Sequence, residues 1–442
     1  MNARVIAFLI CAGVSCAAYW PAHAATLTTL HTFTGAPNDG ANPYGGVVVG
    51  PGGVLYGTTQ YGGTGPCTGW ADGCGTVFSL TPPATPEGTW TESIYSFPFP
   101  KAGYQPYAGV AMNSGGGLYG TTAYGGDCVG STTLPGGTVF LLKPPSSSGG
   151  NWIEQSLLSF CGGSAEGFPL GASPEASPVI GSGVLYGTTS GFTRPGFRVV
   201  SGTVYSLTPP TTPGGSWAET TLDNFSAEGG CSPQGGLVVG NGGVLYGTTE
   251  KCQSFADGMV FSLTPPATPS GSWTETVLYN FGGGADGANP YAGVIIGPRG
   301  VLYGTTYYGG DSYCGLGCGT VFSLTPPSEP GGAWTEAVLY RFPGSEHKFF
   351  NPRGSLVVSS DGVLYGTSTA GGSGDQGTIF SLAPPASPGD AWTATILYSF
   401  TGGSDGGCPY AGLAASGGVL YGTTHYGDCG GSGAATVFSL AP

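Results

Sequence analysis

Charge is scarce in this 442-residue chain: 8% of its residues are Asp, Glu, Lys or Arg, and only 10 are Lys or Arg. At a formal net charge of −14 there is no basic stripe to track phosphates, which excludes a nucleic-acid partner. Histidine is rarer still, four in all, with only His31, His347 and His425 beyond the first 24 residues. A three-His metal centre would need all three, drawn from distant parts of the chain. Helix-period apolar patterning is missing after the N-terminal segment, which excludes helical bundles and α/β sheets. No apolar run reaches the roughly 20 residues that span a bilayer. The C-x-x-C spacing of zinc ribbons and redox motifs is absent as well.

Glycine (87), proline (37) and tyrosine (24) are plentiful. Such a Gly/Pro content can mark a low-complexity chain, but here it is interleaved with periodic Val, Leu, Tyr and Phe that can bury a core. Residues Met1–Ala24 read as an export signal, with Arg4, an apolar stretch from Val5 to Ala18, and the small-x-small sequence Ala22-His23-Ala24. Gly13-Val14-Ser15-Cys16 is a poor lipoprotein box. The mature chain is expected to begin at Ala25, to be secreted or periplasmic, and to make no membrane insertion after cleavage. Ten of the twelve cysteines lie in that mature part; an even count in an exported chain points to disulfides.

Leu-Tyr-Gly-Thr occurs seven times, with its tyrosines at Tyr56, Tyr119, Tyr186, Tyr246, Tyr303, Tyr365 and Tyr421. A repeat running from end to end governs the fold. Each unit reads as four strands, most clearly in the fifth: PYAGVIIG, VLYGTTYYGG, GTVFSLTPP and WTEAVLYRF. The first strand (Val294-Ile295-Ile296) is apolar without alternation, as for a strand buried on both faces. Gly52-Gly53, Gly242-Gly243 and Asp361-Gly362 predict tight hairpins between the first two strands. Pro82-Pro83, Pro265-Pro266 and Pro326-Pro327 end the third. The motif glycine is expected to admit a neighbouring backbone, and the motif Tyr to pack.

Seven such units predict an all-β fold: a seven-bladed β-propeller of four-stranded antiparallel blades, with the N-terminal strand closing the last blade. Residues 25–33 (ATLTTLHTF) align with fourth strands such as 273–281 (WTETVLYNF), while the chain stops on a third strand, TVFSLAP. A ring closed this way leaves no orphan edge; an open solenoid is the alternative. One domain, 25–442, would hold the clasp strand 25–33 and blades of about 34–98, 99–160, 161–225, 226–281, 282–342, 343–400 and 401–442.

The strand order resembles the kelch repeat. Gly62-Gly63, Gly125-Gly126, Gly309-Gly310 and Gly371-Gly372 match its di-glycine. Trp90, Trp152, Trp217, Trp273, Trp334 and Trp392 match the Trp that opens its fourth strand. The sequence GVLYGTT…GG…GTVFSLTPP is closer still to the GloVer (Gloeobacter/Verrucomicrobia-type) repeat, and this resemblance covers nearly all of the mature chain. It implies a secreted propeller, often paired with a surface anchor, and brings no known catalytic residue. This chain ends inside its last blade without a sorting tail.

In kelch order, the loops between second and third strands share one face with the connections between units. All ten mature cysteines fall there, and five bridges leave none over: Cys67–Cys74, Cys128–Cys161, Cys231–Cys252, Cys314–Cys318 and Cys408–Cys429. Rigid loops on a scaffold are where binding sites tend to be built. Tyr61, Tyr124, Tyr308 and Tyr426 stand five residues past the motif Tyr on that face, and Tyr44, Tyr107, Tyr291 and Tyr410 just before first strands. Exposed tyrosines with interspersed Asp and Asn suit sugars, and repetition would make the sites multivalent. Asp39-Gly40-Ala41-Asn42, Asp286-Gly287-Ala288-Asn289 and Asp405-Gly406 form Asx-turns or, less favoured, part of a calcium site. No cofactor and no catalytic residue is assigned. Gly402–Gly406 fits G-x-S-x-G by composition alone, since a nucleophile elbow needs a strand–turn–helix setting. Among the loop carboxylates Asp72, Asp127, Glu250, Asp311 and Asp428 nothing selects a catalytic pair.

The sequence thus predicts a secreted, monomeric, non-catalytic binding or surface-interaction module for a glycan or protein ligand at the disulfide-bearing face. A polysaccharide hydrolase or lyase using carboxylates on that face, and a structural envelope component, are the alternatives.

Overall fold

The computed structural model describes residues 25–442 apart from 65–66, 68–71, 86–87, 100, 129–134, 146–149, 162–170, 192–201, 213, 226–231, 252–256, 269–270, 311–313, 330, 344–349 and 388. These form a seven-bladed propeller of antiparallel blades. Among the described residues there is no α-helix, only short 3-10 turns, and no helix long and apolar enough to cross a membrane.

Blade five shows the plan: Ile295–Ile296, Leu302–Thr306, Thr320–Thr325 and Thr335–Arg341, paired in that order. In blade seven the order is Ala414–Ser416, Val419–Thr423, Thr436–Ala441, and then Thr26–Thr32 from the N-terminal end of the described chain. The clasp strand runs antiparallel to the last strand, from Thr26 opposite Ala441 to Thr32 opposite Thr436. The ring is therefore closed by strands from the two ends of the sequence.

Each letter of the Leu-Tyr-Gly-Thr-Thr segment has its own task. Leu302 and its six counterparts are buried in the core. The Gly is crossed by the aromatic ring paired with it on the third strand: a Cβ on Gly304 would lie 2.5 Å from the Phe322 ring and one on Gly366 2.6 Å from Phe380. It therefore admits a ring from its own blade, not the neighbouring backbone that the sequence predicts. The first Thr donates its hydroxyl to a backbone carbonyl of the next blade in all seven units, from Thr58 to Ala108 (2.6 Å) round to Thr423 to Gly45 (3.1 Å). In six blades the next residue, Thr or Ser368, bonds the first hydroxyl of the third strand, as in Thr306–Thr320 at 2.8 Å; blade four has Met259 there instead. The motif Tyr packs edge-on against the Trp of the following blade, as in Tyr119–Trp217 and Tyr246–Trp334, at 6.0 and 5.9 Å.

A second aromatic ring of contacts runs through the core. The Phe ending each fourth strand meets the third-strand aromatic of the next blade edge-to-face, with centroids 5.1–5.4 Å apart at all seven seams. Phe33–Phe78 completes this circle across the closing seam. Such pairs contribute about 0.5–1.5 kcal/mol each beyond their burial.

Two local expectations are corrected. Of Val294-Ile295-Ile296, Val294 is buried as expected, but Ile295 and Ile296 are half-buried; they form the edge strand of the blade, paired on one side only. Gly52-Gly53 and Gly242-Gly243 belong to three-residue 3-10 turns. Two-residue turns with both φ values positive occur instead at Ser182-Gly183 and Gly417-Gly418.

Candidate functional site

The disulfide-bearing face is built by short pairings between the connection entering a blade and the segment leaving its second strand: Gly40–Gly62, Tyr104–Tyr124, Ala288–Tyr308 and Gly407–Tyr426. Four disulfides brace it: Cys67–Cys74, Cys128–Cys161, Cys314–Cys318 and Cys408–Cys429. Cys231 and Cys252, expected to form a fifth, lie outside the described residues. The three Asp-Gly segments use their carboxylates on the chain itself. Asp39 accepts from the Thr34 and Gly40 amides, Asp286 from the Gly282 amide and the Tyr279 hydroxyl, and Asp405 from the Thr401 amide and the Tyr398 hydroxyl.

Where the seven connections meet on the axis they enclose a cavity of 160 Å³. One residue from each blade, placed just before the first strand, lines it: Tyr44, Tyr107, Glu175, Gln234, Tyr291, Arg353 and Tyr410. Glycines behind them let adjacent blades approach, since a Cβ on Gly235 would lie 2.5 Å from the Gly293 backbone nitrogen. The backbone-approach role belongs to these glycines.

The ring is chemically uneven. The Arg353 guanidinium lies over the faces of Tyr44, Tyr291 and Tyr410, at 4.9, 4.8 and 4.7 Å from their centroids, and donates to the Tyr44 hydroxyl. Its burial lowers its pKa. Across the ring, burial raises the Glu175 pKa to about 7, against a hydrogen bond from Ser190 and with a further push from Glu250. Glu250 is itself occupied, accepting from the Gln234 amide at 2.7 Å and bonding the Tyr291 hydroxyl.

All eight tyrosines singled out in the sequence lie on this face, in two layers. Tyr44, Tyr107, Tyr291 and Tyr410 line the cavity. Tyr124 and Tyr426 pack edge-on against Tyr107 and Tyr410, at 6.5 and 6.4 Å. Tyr308 reaches Tyr291 through Tyr307, and Tyr61 receives a hydrogen bond from Gln60. Tyr124 is 39% exposed, while Tyr61, Tyr308 and Tyr426 are half-buried. His425 stacks on Tyr410 at 4.6 Å and bonds the Pro43 carbonyl; burial lowers its pKa to about 4, keeping it neutral.

The sequence reading missed Arg353, Glu175, Gln234, Tyr307 and His425. Aligning the residue before each first strand, whatever its type, exposes the first three; selecting for tyrosine hid them. Of the three mature histidines, His31 and His425 lie at separate sites and His347 is outside the described residues. Among the described residues one group of potential metal ligands converges, His31, Asp39 and Glu92, away from the mouth.

Solved structures that are similar share little sequence. A luciferin-regenerating enzyme is 10% identical with a TM-score of 0.41, over 75% of this chain and 90% of that one. An extracellular domain assigned to a one-component system of B. thetaiotaomicron is 10% identical with a TM-score of 0.48, over 94% of this chain and 42% of that one. A Dyadobacter fermentans protein of unknown function is 14% identical with a TM-score of 0.43, over 75% and 93%. No curated protein matches the chain. The Gloeobacter/Verrucomicrobia repeat model matches residues 18–193 and 190–438, nearly the whole of the propeller, and the chain belongs to that repeat family.

Proposed function

We propose that the protein is an exported, monomeric, non-catalytic binding module that holds a glycan at the tyrosine-lined axial mouth. The carrying observation is the mixed ring. Four tyrosines surround one guanidinium, which lies over three of them, with one carboxyl and one carboxamide alongside. Sugars combine apolar ring faces with hydroxyls in the same way. The cavity is small beside the roughly 300–1,000 Å³ of pockets that engulf a ligand, so a terminal residue enters it and the rest lies across the outer tyrosines. Export fits the N-terminal signal and four disulfides, which persist in oxidising compartments.

A glycan array probed with the mature protein tests the reading. Binding is expected to fall at least tenfold in Tyr410→Ala, since a buried aromatic anchor contributes about 2 kcal/mol or more, while Tyr124→Ala weakens it less. No binding to any glycan, with turnover of a polysaccharide, would overturn it. A second reading, hydrolase or lyase, is favoured by the raised pKa of Glu175, which is that of a general acid. Its weakness is the second carboxylate, because Glu250 is held by Gln234 and Tyr291. Loss of any turnover in Glu175→Gln would establish that alternative.

A further inference from the structure

The closing seam carries a side-chain triangle unlike its counterparts. His31 on the clasp strand, Asp39 on the connection into blade one, and Glu92 on the outer strand of blade one meet there. His31 Nε2 lies 3.2 Å from Asp39 Oδ2 and 3.4 Å from Glu92 Oε1. All three donor atoms fall within 4.8 Å of one another. One imidazole nitrogen can donate a single hydrogen, yet two carboxylates converge on it.

The other blades show what the repeat normally places here. The position of His31 in the fourth-strand alignment is Tyr279 in blade four and Tyr398 in blade six. Their hydroxyls donate to Asp286 and Asp405, both at 3.0 Å, as His31 contacts Asp39. Glu336 of the next blade acts electrostatically on Tyr279, as Glu92 stands beside His31. A phenol is a poor ligand for a divalent ion at neutral pH, whereas an imidazole is among the commonest. Only at the closing seam does His replace Tyr while both carboxylates remain; blade seven has Leu27 in place of the Glu beside Tyr398.

We propose that His31, Asp39 and Glu92 form a divalent-metal site, of the zinc class, that pins the clasp strand to blade one. In tetrahedral zinc centres, with bonds of about 2.0–2.2 Å, neighbouring donor atoms are roughly 3.4 Å apart. The two separations from His31 Nε2 already match that edge. One nitrogen with two carboxylate oxygens suits zinc better than calcium, which takes six to eight oxygens. His31 is 20% exposed, leaving a fourth position for water. The metal would join Thr26–Thr32 to the blade next to the one it completes, which no backbone ladder does.

The test is calorimetric titration of Zn²⁺ into the tag-free mature protein after chelator treatment, with anomalous scattering from crystals to locate the ion. One ion per chain is expected. Glu92→Gln should weaken uptake at least tenfold, and His31→Tyr should abolish it. His31→Tyr restores the residue that other blades carry, so it should fold. Saturating zinc should raise the melting temperature of the wild type by a few degrees, by linkage, and leave His31→Tyr unmoved. No stoichiometric uptake, or equal uptake by His31→Tyr, would overturn the site and leave an ordinary His–carboxylate ion pair. Either result is independent of glycan binding at the mouth.

Discussion

The seams between blades and the axial mouth are built from the same seven units, yet they treat the repeat in opposite ways. At the seams the units are nearly copies: seven Thr-to-carbonyl bonds, seven edge-to-face aromatic pairs, and a glycine under an aromatic ring in every blade. At the mouth the seven equivalent positions hold four tyrosines and one each of Arg, Glu and Gln. Packing between identical neighbours favours one solution, because each blade is both donor and acceptor in the same geometry. The glycan proposed for the axis would meet these seven positions together and is not itself sevenfold, so its site would gain from being uneven. The repeat holds at the seams, where it packs the blades together, and lapses at the mouth, where the proposed glycan would sit.

Seam substitutions should therefore change stability and spare binding, and mouth substitutions the reverse. The largest stability effect is expected at the closing seam. Phe33→Ala removes a buried ring paired with Phe78 and should cost about 3–5 kcal/mol in denaturant unfolding, with glycan binding retained at temperatures where the chain stays folded. Equal stability of wild type and variant would mean that the clasp does not close the ring.

The mouth histidine gives the next largest effect, as a pH dependence. His425 faces Arg353 as well as Tyr44, Tyr410 and Tyr426. Its folded pKa, about 4, is below its ordinary 6.5. The unfolded chain therefore binds more protons between these values, and stability should fall as pH drops from 6.5 towards 4. The loss is on the order of 3 kcal/mol at most. Unfolding of wild type and His425→Gln at pH 7.5 and 4.5 checks it: the difference between them should shift with pH, and parallel behaviour would refute the assignment.

Within the seams, Gly304→Ala forces a Cβ to within 2.5 Å of the Phe322 ring and should destabilise by about 1–3 kcal/mol. Glu175→Gln is the matching test at the mouth. Its folded pKa of about 7 lies above the ordinary 4.5, so the folded state gives up stability as pH rises from 4.5 to 7. The variant should exceed wild type by on the order of 3 kcal/mol at pH 8 and equal it near pH 4.5. The smallest effect is a gain. Tyr205 takes the place of the third-strand Phe in blade three, and its buried hydroxyl has no hydrogen-bond partner among the described residues. Tyr205→Phe should stabilise by about 1 kcal/mol, read as a rise in the unfolding midpoint.

Much of this architecture was legible in the chain. Seven motifs counted the blades, turn residues bounded the strands, and the pairing of ATLTTLHTF with TVFSLAP was visible because a fourth strand stood at one end and a third at the other. The mouth was legible only in part. The eight tyrosines could be placed on one face, but Arg353, Glu175 and Gln234 share nothing with them except position. His31 read as an ordinary member of the clasp strand, since its partners Asp39 and Glu92 belong to the connection and to blade one.

The sequence alone determined the strand order, the number of blades and the way the ring closes, because these depend on local patterning and on a repeat that can be counted. The tertiary structure decided what a residue faces across a seam or on the axis. That Gly304 lies beneath Phe322, that Arg353 spans three tyrosine rings, and that His31 meets two carboxylates follow from closing seven units into a circle. Closure brings together side chains that no spacing along the chain relates.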